Sequence, residues 1–250
     1  MIHRWETLTF LHHPVEPEAV QRLLPEGLEV DAFEDRAWVG LVPFAMKIRV
    51  PPIPFLPWLS VFPETNVRTY VRGRDGRRGI WFFTLDVPRL AAVAAARNAY
   101  RLPYCWARMR LQRAGSEVSY GSTRRWPGGS ARTSIVVEVG EALAPGEATE
   151  LEHFLTARWG LYTQLRRGIA YAPVEHPRWP LRRARLIDLR ETMIGAAGLP
   201  SVAGDPLVHF SPGVEVRIGR PRLVEKAAFT RRRPGPRRGR SRSPAGRRRR

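Results

Sequence analysis

The sequence predicts a β-rich α+β fold in which a large antiparallel sheet closes into a cone or barrel, with a few short helices on its periphery. Three observations carry this expectation. Runs of period-two alternation recur along the chain, most of them separated by short turn signals that suit hairpins. Helical periodicity is confined to a few brief stretches. No regular strand-to-helix alternation and no internal repeat of fixed period occurs, so a doubly wound sheet and a solenoid both fit poorly.

Glu6 to His12 alternates as a strand. Pro14 and Pro17 bracket its exit into a short helix, near 17–24, with Val20, Leu23 and Leu24 on one side. GLEVDAF and RAWVGLVPFAMKIRV read as unequal arms of a hairpin around Glu34 and Asp35. Pro43 inside the second arm predicts an edge or a bulge, because proline cannot donate to the ladder. VPPIPFLPW, at 50–58, reads as a stiff extended loop. Its Ile53, Phe55, Leu56 and Trp58 suit a cavity mouth or a subunit interface, which makes a homo-oligomer a candidate assembly.

Ser60 to Tyr104 organises the rest. Two strands, VFPETNVRTYVR and IWFFTLD, flank the turn GRDGRRG and lead into an alanine-rich helix with Asp86 as its expected N-cap and Pro88 in its first turn. Ala91, Ala92, Ala95 and Ala96 form a slim helical surface suited to close approach to a sheet. Alternation puts Glu64, Asn66, Arg68 and Tyr70 on one strand face, about 7 Å apart. IWFFTL is apolar on both faces, which argues against an edge position. A hairpin over Tyr104–Leu111 and Glu117–Arg125, the strand RTSIVVEVG, a short helix around Phe154, strands near 159–166, 169–173 and 183–189, a helix near 193–197 and the strand GVEVRIG complete the pattern.

The expected organisation is a single domain over 1–228 and a disordered arginine-rich tail over 229–250. Of the net charge of +19, eleven arginines lie in 231–250 with no acid beside them, leaving the body near +8. Such a tail has little to bury, repels itself and suits nonspecific polyanion contact. No helix-turn-helix, zinc-finger or aromatic RNA-binding signature accompanies it. Cys105 is the only cysteine, which excludes an intrachain disulfide and fits a reducing compartment. The opening residues lack an apolar signal core and no run approaches eighteen apolar residues, so the expected location is the cytoplasm, without membrane contact.

If the Glu64 face points inward, the carboxylate must be paired or its pKa must rise. Arg68 could pair it and Asn66 could satisfy it or a ligand; the competing reading leaves this face in solvent. The six histidines form no HExxH and no familiar metal-ligand spacing, so no metal is expected, although His12 can face a pocket. No GxSxG serine, GxGxxG or phosphate loop is present, and no cofactor is expected. Arg4, Arg68, Arg97, Arg108 and Arg158 could build an interior anion site, or pair with Glu64, Asp86 or Glu152.

Read together, LTFLHHPV, LLPEGLEVDAFEDRAWVGLVPF, FPETNVRTYVR, GIWFFTLD, ARNAYRLPYCWARM, FLTARWGLY and PLVHFSPGVEV resemble, in order, the YqjF-like family of uncharacterised proteins, also called DUF2071, over about Met1 to Arg220. That resemblance implies an acetoacetate decarboxylase-like fold around an internal cavity, in an oligomer. Acetoacetate decarboxylases use a Schiff-base lysine with an adjacent second lysine, in a Pro-Lys-Lys stretch that follows a Gly-Arg-Glu helix end. The matching residues here are Ala96, Arg97 and Asn98, then Pro103, Tyr104 and Cys105, and the only lysines in the chain are Lys47 and Lys226. Amine-dependent decarboxylation is thereby disfavoured. What the resemblance leaves is the cavity, Glu64 as acid or base, and Arg97 as a carboxylate anchor. His12, Asn66, Arg68, Trp81, Phe83, Tyr104, Arg108 and Trp159 are the expected ligand-binding residues. Three functions are then open: an enzyme, a lyase or another, acting on a small anionic or carbonyl-containing metabolite; a noncatalytic ligand-binding or sensing barrel; and a nucleic-acid-associated protein acting through its tail.

Overall fold

The computed structural model describes residues 2–49 and 61–226. The proline-rich loop at 50–58 and the arginine-rich tail at 229–250 lie outside these residues. In chain order the elements begin β1 (Ile2–Val15), α1 (Pro17–Gln21), β2 (Leu28–Val30), β3 (Ala37–Arg49), β4 (Val61–Gly73), β5 (Arg78–Val87) and α2 (Leu90–Ala99). They continue β6 (Tyr104–Ala114), β7 (Glu117–Trp126), β8 (Arg132–Ala142), α3 (Glu150–Thr156), β9 (Gly160–Leu165) and β10 (Gly168–Glu175). β11 (Arg182–Glu191), α4 (Met193–Ala196), β12 (Leu207–Ile218) and β13 (Arg222–Lys226) complete the fold.

The strands form one 13-stranded sheet in the order β13-β10-β9-β5-β6-β7-β8-β11-β12-β1-β3-β4-β2, with further pairings β10–β12 and β5–β4. This corrects the closed antiparallel cone or barrel expected from the hairpins. β5 runs parallel to both β6 and β9. β5 and β12 each meet three strands, which a simple barrel does not allow, while β2 and β13 end the order as edges. The physical reason lies partly in α2. A tight turn delivers an antiparallel neighbour, whereas a return through a helix brings the chain back in the same direction. The result is a mixed, mostly-strand α+β fold.

The expected hairpin over 27–50 is also corrected. Glu34 and Asp35 do make a tight reversal, with left-handed φ of 49° and 58°, closed by the Phe33–Arg36 bridge. The arms then part: β2 pairs with β4, while β3 lies between β1 and β4. Pro43 sits opposite a bulge in β1, where pairing skips from Glu6–Ala45 to Leu11–Leu41. Its missing N–H therefore costs no ladder bond to β1. Thr7, in that bulge, has φ 48°, and its carbonyl accepts from Tyr120 Oη at 2.8 Å.

β4 is central, and every residue from Glu64 to Val71 is buried. The helices cover separate apolar clusters. Met193 and Ile194 of α4 join Ile135, Val137 and Phe210, whereas Phe154 and Leu155 of α3 join Tyr70, Ile80, Leu161 and Val216. Val93 of α2 joins Phe44, Phe62 and Val87. α3 starts with a capping box: Thr149 Oγ1 accepts from the Glu152 amide at 3.2 Å, and Glu152 Oε2 accepts from the Thr149 amide at 2.6 Å. Among the described residues no helix is long and apolar enough to cross a membrane.

Candidate functional site

The polar row of β4 faces inward. Asn66 Nδ2 donates to Glu64 Oε1 at 3.4 Å, and Arg68 Nη2 donates to Tyr70 Oη at 3.5 Å, as their period-two spacing requires. Parallel pairing of Leu85 with Tyr104 brings the start of β6 beside the end of β5. From there the Tyr104 hydroxyl donates to Glu64 Oε2 at 3.0 Å. Glu64 is 2% exposed and makes no ion pair among the described residues. Burial pushes its carboxyl up to about 7, the bonds from Tyr104 and Asn66 oppose the rise, and the Asp86 charge adds to it. Burial, reinforced by the Glu64 charge, holds the Tyr104 phenol well above its usual range.

Tyr104 also lines a cavity of about 480 Å³. Met46, Ile48, Phe62, Leu161 and Ile218 supply apolar wall, and His3 lines it as well. Ala92, Ala96 and Ala99 of α2 face the same space, and Ala92 also packs on the cluster of Phe44, Phe62 and Val87. His3 is 6% exposed, neither ring nitrogen has a partner among the described residues, and burial pulls its pKa down to about 4. The imidazole is therefore neutral near pH 7.

A second carboxylate lies on the neighbouring strand. Asp86 Oδ1 accepts from Arg124 Nε at 3.0 Å and Nη2 at 2.7 Å, and Ser122 donates to Oδ2 at 3.3 Å. Asp86 is thus not the cap of α2, whose N-cap is Arg89 without a side-chain bond. A fully buried carboxylate is stabilised far more by a guanidinium than by exposed helix amides. Cys105 is buried and directs Sγ to the Pro103 carbonyl at 3.6 Å, while burial raises its thiol above the usual range.

Residues 3–215 match the DUF2071 family, described as an uncharacterized conserved protein. The chain belongs to the DUF2071 family. This DUF2071 protein is 32% identical over 217 residues to the uncharacterized protein YqjF of Bacillus subtilis (strain 168), a match covering 86% of this chain and 89% of the relative. Its fold is similar to that of the enduracididine biosynthesis enzyme MppR complexed with pyruvate, with TM-score 0.62, 14% identity and 90% of each chain covered. An acetoacetate decarboxylase-like enzyme from Sphingomonas wittichii RW1 gives TM-score 0.59 at 14% identity, covering 90% of this chain and 94% of the other. Acetoacetate decarboxylase from Legionella pneumophila gives TM-score 0.55 at 13% identity, covering 89% and 88%. At these identities the likeness shows the fold.

Of Tyr104 and Cys105, Tyr104 lines the cavity and Cys105 does not. The structure brings Glu64, Asn66 and Tyr104 together. Arg97 lies behind them: its Nε donates to the Tyr104 carbonyl at 2.6 Å and its guanidinium lies 4.6 Å from the Trp126 ring. It holds the backbone of Tyr104 and makes no bond to Glu64. Arg68 and His12 adjoin Tyr70, farther along β4. Arg68 lies 5.4 Å from the Phe10 ring and 5.8 Å from that of Tyr70, and His12 Nε2 is 2.6 Å from Tyr70 Oη. Burial, then the Arg68 charge, lowers the His12 pKa well below the usual range.

The remaining expected residues lie elsewhere. Trp81 and Phe83 line another pocket, of about 330 Å³, with Leu23 and Tyr162. Arg108 is exposed, and Trp159 is 46% exposed on a different groove. Of the five arginines, Arg4 pairs with Glu6 at the surface and Arg158 pairs with Asp31. Sequence reading missed Arg124 as the Asp86 partner and His3 as a wall residue. An acid closing the otherwise apolar IWFFTL run was a signal for the first; nothing in the alternation near Met1 marks the second. Among the described residues no group of three or more His, Cys, Asp or Glu side chains could hold a metal ion.

Proposed function

We propose that this protein binds a small carbonyl-containing metabolite in the α2 cavity and moves a proton at it through Glu64 and Tyr104. One observation carries the reading: a buried carboxyl with a pKa of about 7 is bonded to a phenol, that of Tyr104, which also lines a largely apolar cavity. When Glu64 is ionised, it holds the Tyr104 proton. When Glu64 is protonated, its own O–H can donate to Tyr104 Oη, and the phenol proton is free to turn toward a ligand oxygen. A step that develops negative charge on a carbonyl oxygen, such as a lyase step, receives the Tyr104 proton as Tyr104 takes one from Glu64. Asn66 holds the carboxyl in place and Arg97 positions Tyr104. No amine enters this scheme, in keeping with Tyr104 and Cys105 in place of the lysine pair.

The test is a thermal-shift screen of carbonyl metabolites against the full chain, Glu64→Gln and Tyr104→Phe, with turnover of each hit then followed by NMR. The expected hit raises Tm in the wild type, loses that shift in Tyr104→Phe, and turns over only where Glu64 is intact. A ligand that shifts all three proteins equally overturns the site. The apolar walls favour one second reading, noncatalytic binding, which predicts the same shifts without turnover. We also propose that 1–228 acts as one domain and that 229–250 makes nonspecific polyanion contacts; deletion of that segment is expected to abolish retention on heparin and leave metabolite binding unchanged.

A further inference from the structure

A second groove, of about 1010 Å³, opens between residues 31–34, the segment 143–150, α3 and residues 176–181. Its floor is a charge cluster. Asp31, 3% exposed, accepts from Arg72 Nη2 at 3.1 Å, Arg78 Nε at 2.6 Å and Arg158 Nη1 at 2.5 Å. Three guanidiniums thus meet one carboxylate. Arg158 is almost wholly buried, and its Nη2 has no partner among the described residues. Arg72 and Arg78 are about half exposed, with side-chain values of 51% and 48%, and both line the groove. Glu34, Glu150 and Arg178 line it too and, like Arg72 and Arg78, are exposed to solvent. Around Asp31 itself, three guanidiniums against one carboxylate leave a local positive excess.

The wall beside this floor is aromatic. Trp159 is 46% exposed, yet its indole is fixed, because Nε1 donates to the His176 carbonyl at 3.2 Å and its ring stacks on His176 at 6.1 Å and 21°. His176 lies 5.3 Å from Trp179, and Phe154 packs under Arg78 at 4.9 Å. A large aromatic surface held rigid in water, beside guanidiniums in excess of their carboxylate, matches one kind of ligand: a flat ring bearing an anionic group.

We propose that this groove is a second ligand site, distinct from the Glu64 cavity, for an aryl carboxylate whose anionic group sits on Arg72 and Arg78 and whose ring lies against Trp159. The full chain is titrated by calorimetry with benzoate, cyclohexanecarboxylate and benzyl alcohol. Benzoate is expected to saturate, and the other two to bind about tenfold more weakly, since one lacks the ring and the other the charge. Trp159→Leu and Arg72→Gln are each expected to weaken benzoate about tenfold. Tyr104→Phe leaves its affinity unchanged. Circular dichroism establishes that Arg72→Gln is folded, and Arg78→Lys, which keeps the charge but loses the fork, is expected to fall between Arg72→Gln and wild type. Absence of saturable benzoate binding, equal binding of the three probes, or loss in Tyr104→Phe with retention in Trp159→Leu overturns the proposal.

Discussion

Glu64 and Asp86 are buried carboxylates on adjacent strands, and Asp86 is the cross-strand partner of Thr65, the residue after Glu64. Their surroundings differ chiefly in charge. Asp86 receives a guanidinium through two N–H bonds and a serine hydroxyl; burial raises its carboxyl, and Arg124 and Ser122 offset part of the rise. Glu64 receives only a phenol and an amide, which leave it near 7. A guanidinium binds a carboxylate to its charged form, whereas neutral donors leave it able to take or release a proton. The first arrangement fastens β5 to β7. The second stands beside a cavity and is suited to proton transfer.

The largest effect should come from breaking the charged pair. Arg124→Met leaves Asp86 buried without its cation and is expected to cost about 3–5 kcal/mol in denaturant unfolding. A loss below about 1 kcal/mol would erase the distinction between the two clusters.

The next effect depends on pH. Glu64 is raised from 4.5 to about 7 in the folded chain, so its contribution to stability is fully present below the unfolded value and is lost as pH rises to about 7. The loss amounts to about 3 kcal/mol. Glu64→Gln cannot ionise, so its stability relative to wild type is expected to grow by that amount between pH 4.5 and 7. A pH-independent difference would mean that the Glu64 carboxyl is not raised in the folded chain.

His3 gives the opposite sign. Its pKa falls from 6.5 to about 4 on folding, so stability is lost as pH drops through that window, again by about 3 kcal/mol at most. His3→Gln is expected to be less acid-labile than wild type over the same range, which urea melts at stepped pH would detect.

Tyr104→Phe should have the smallest effect on stability, about 1 kcal/mol for one neutral hydrogen bond. It also moves the Glu64 titration farther upward, since the Tyr104 bond is what most opposes burial.

Much of this site was legible because strand geometry is local. Alternation in FPETNVRTYV puts Glu64, Asn66, Arg68 and Tyr70 on one face, and the apolar IWFFTL run makes the next strand central; both hold in the fold. Pro43 at a bulge follows from its missing donor. The sheet's closure was misread because parallel pairing and three-way junctions depend on where a chain returns after a helix, and period-two patterns carry no such information. Pairing partners were equally hidden. Asp86 and Arg124 are far apart in sequence, and Asp86 before a Val-Pro step looks like a helix cap until the register places Ser122 and Arg124 beside it. Trp81, Phe83 and Trp159 were assigned to one wall by aromatic character alone, and that character does not specify which of several pockets a ring lines.

The most direct test is the titration of the Glu64 carboxyl itself, read from its side-chain carbon by NMR in the full chain and assigned by its absence in Glu64→Gln. The predicted midpoint is about 7, rising in Tyr104→Phe. A midpoint at the ordinary 4.5, unmoved by loss of the phenol, would contradict a proton relay through Glu64 and Tyr104.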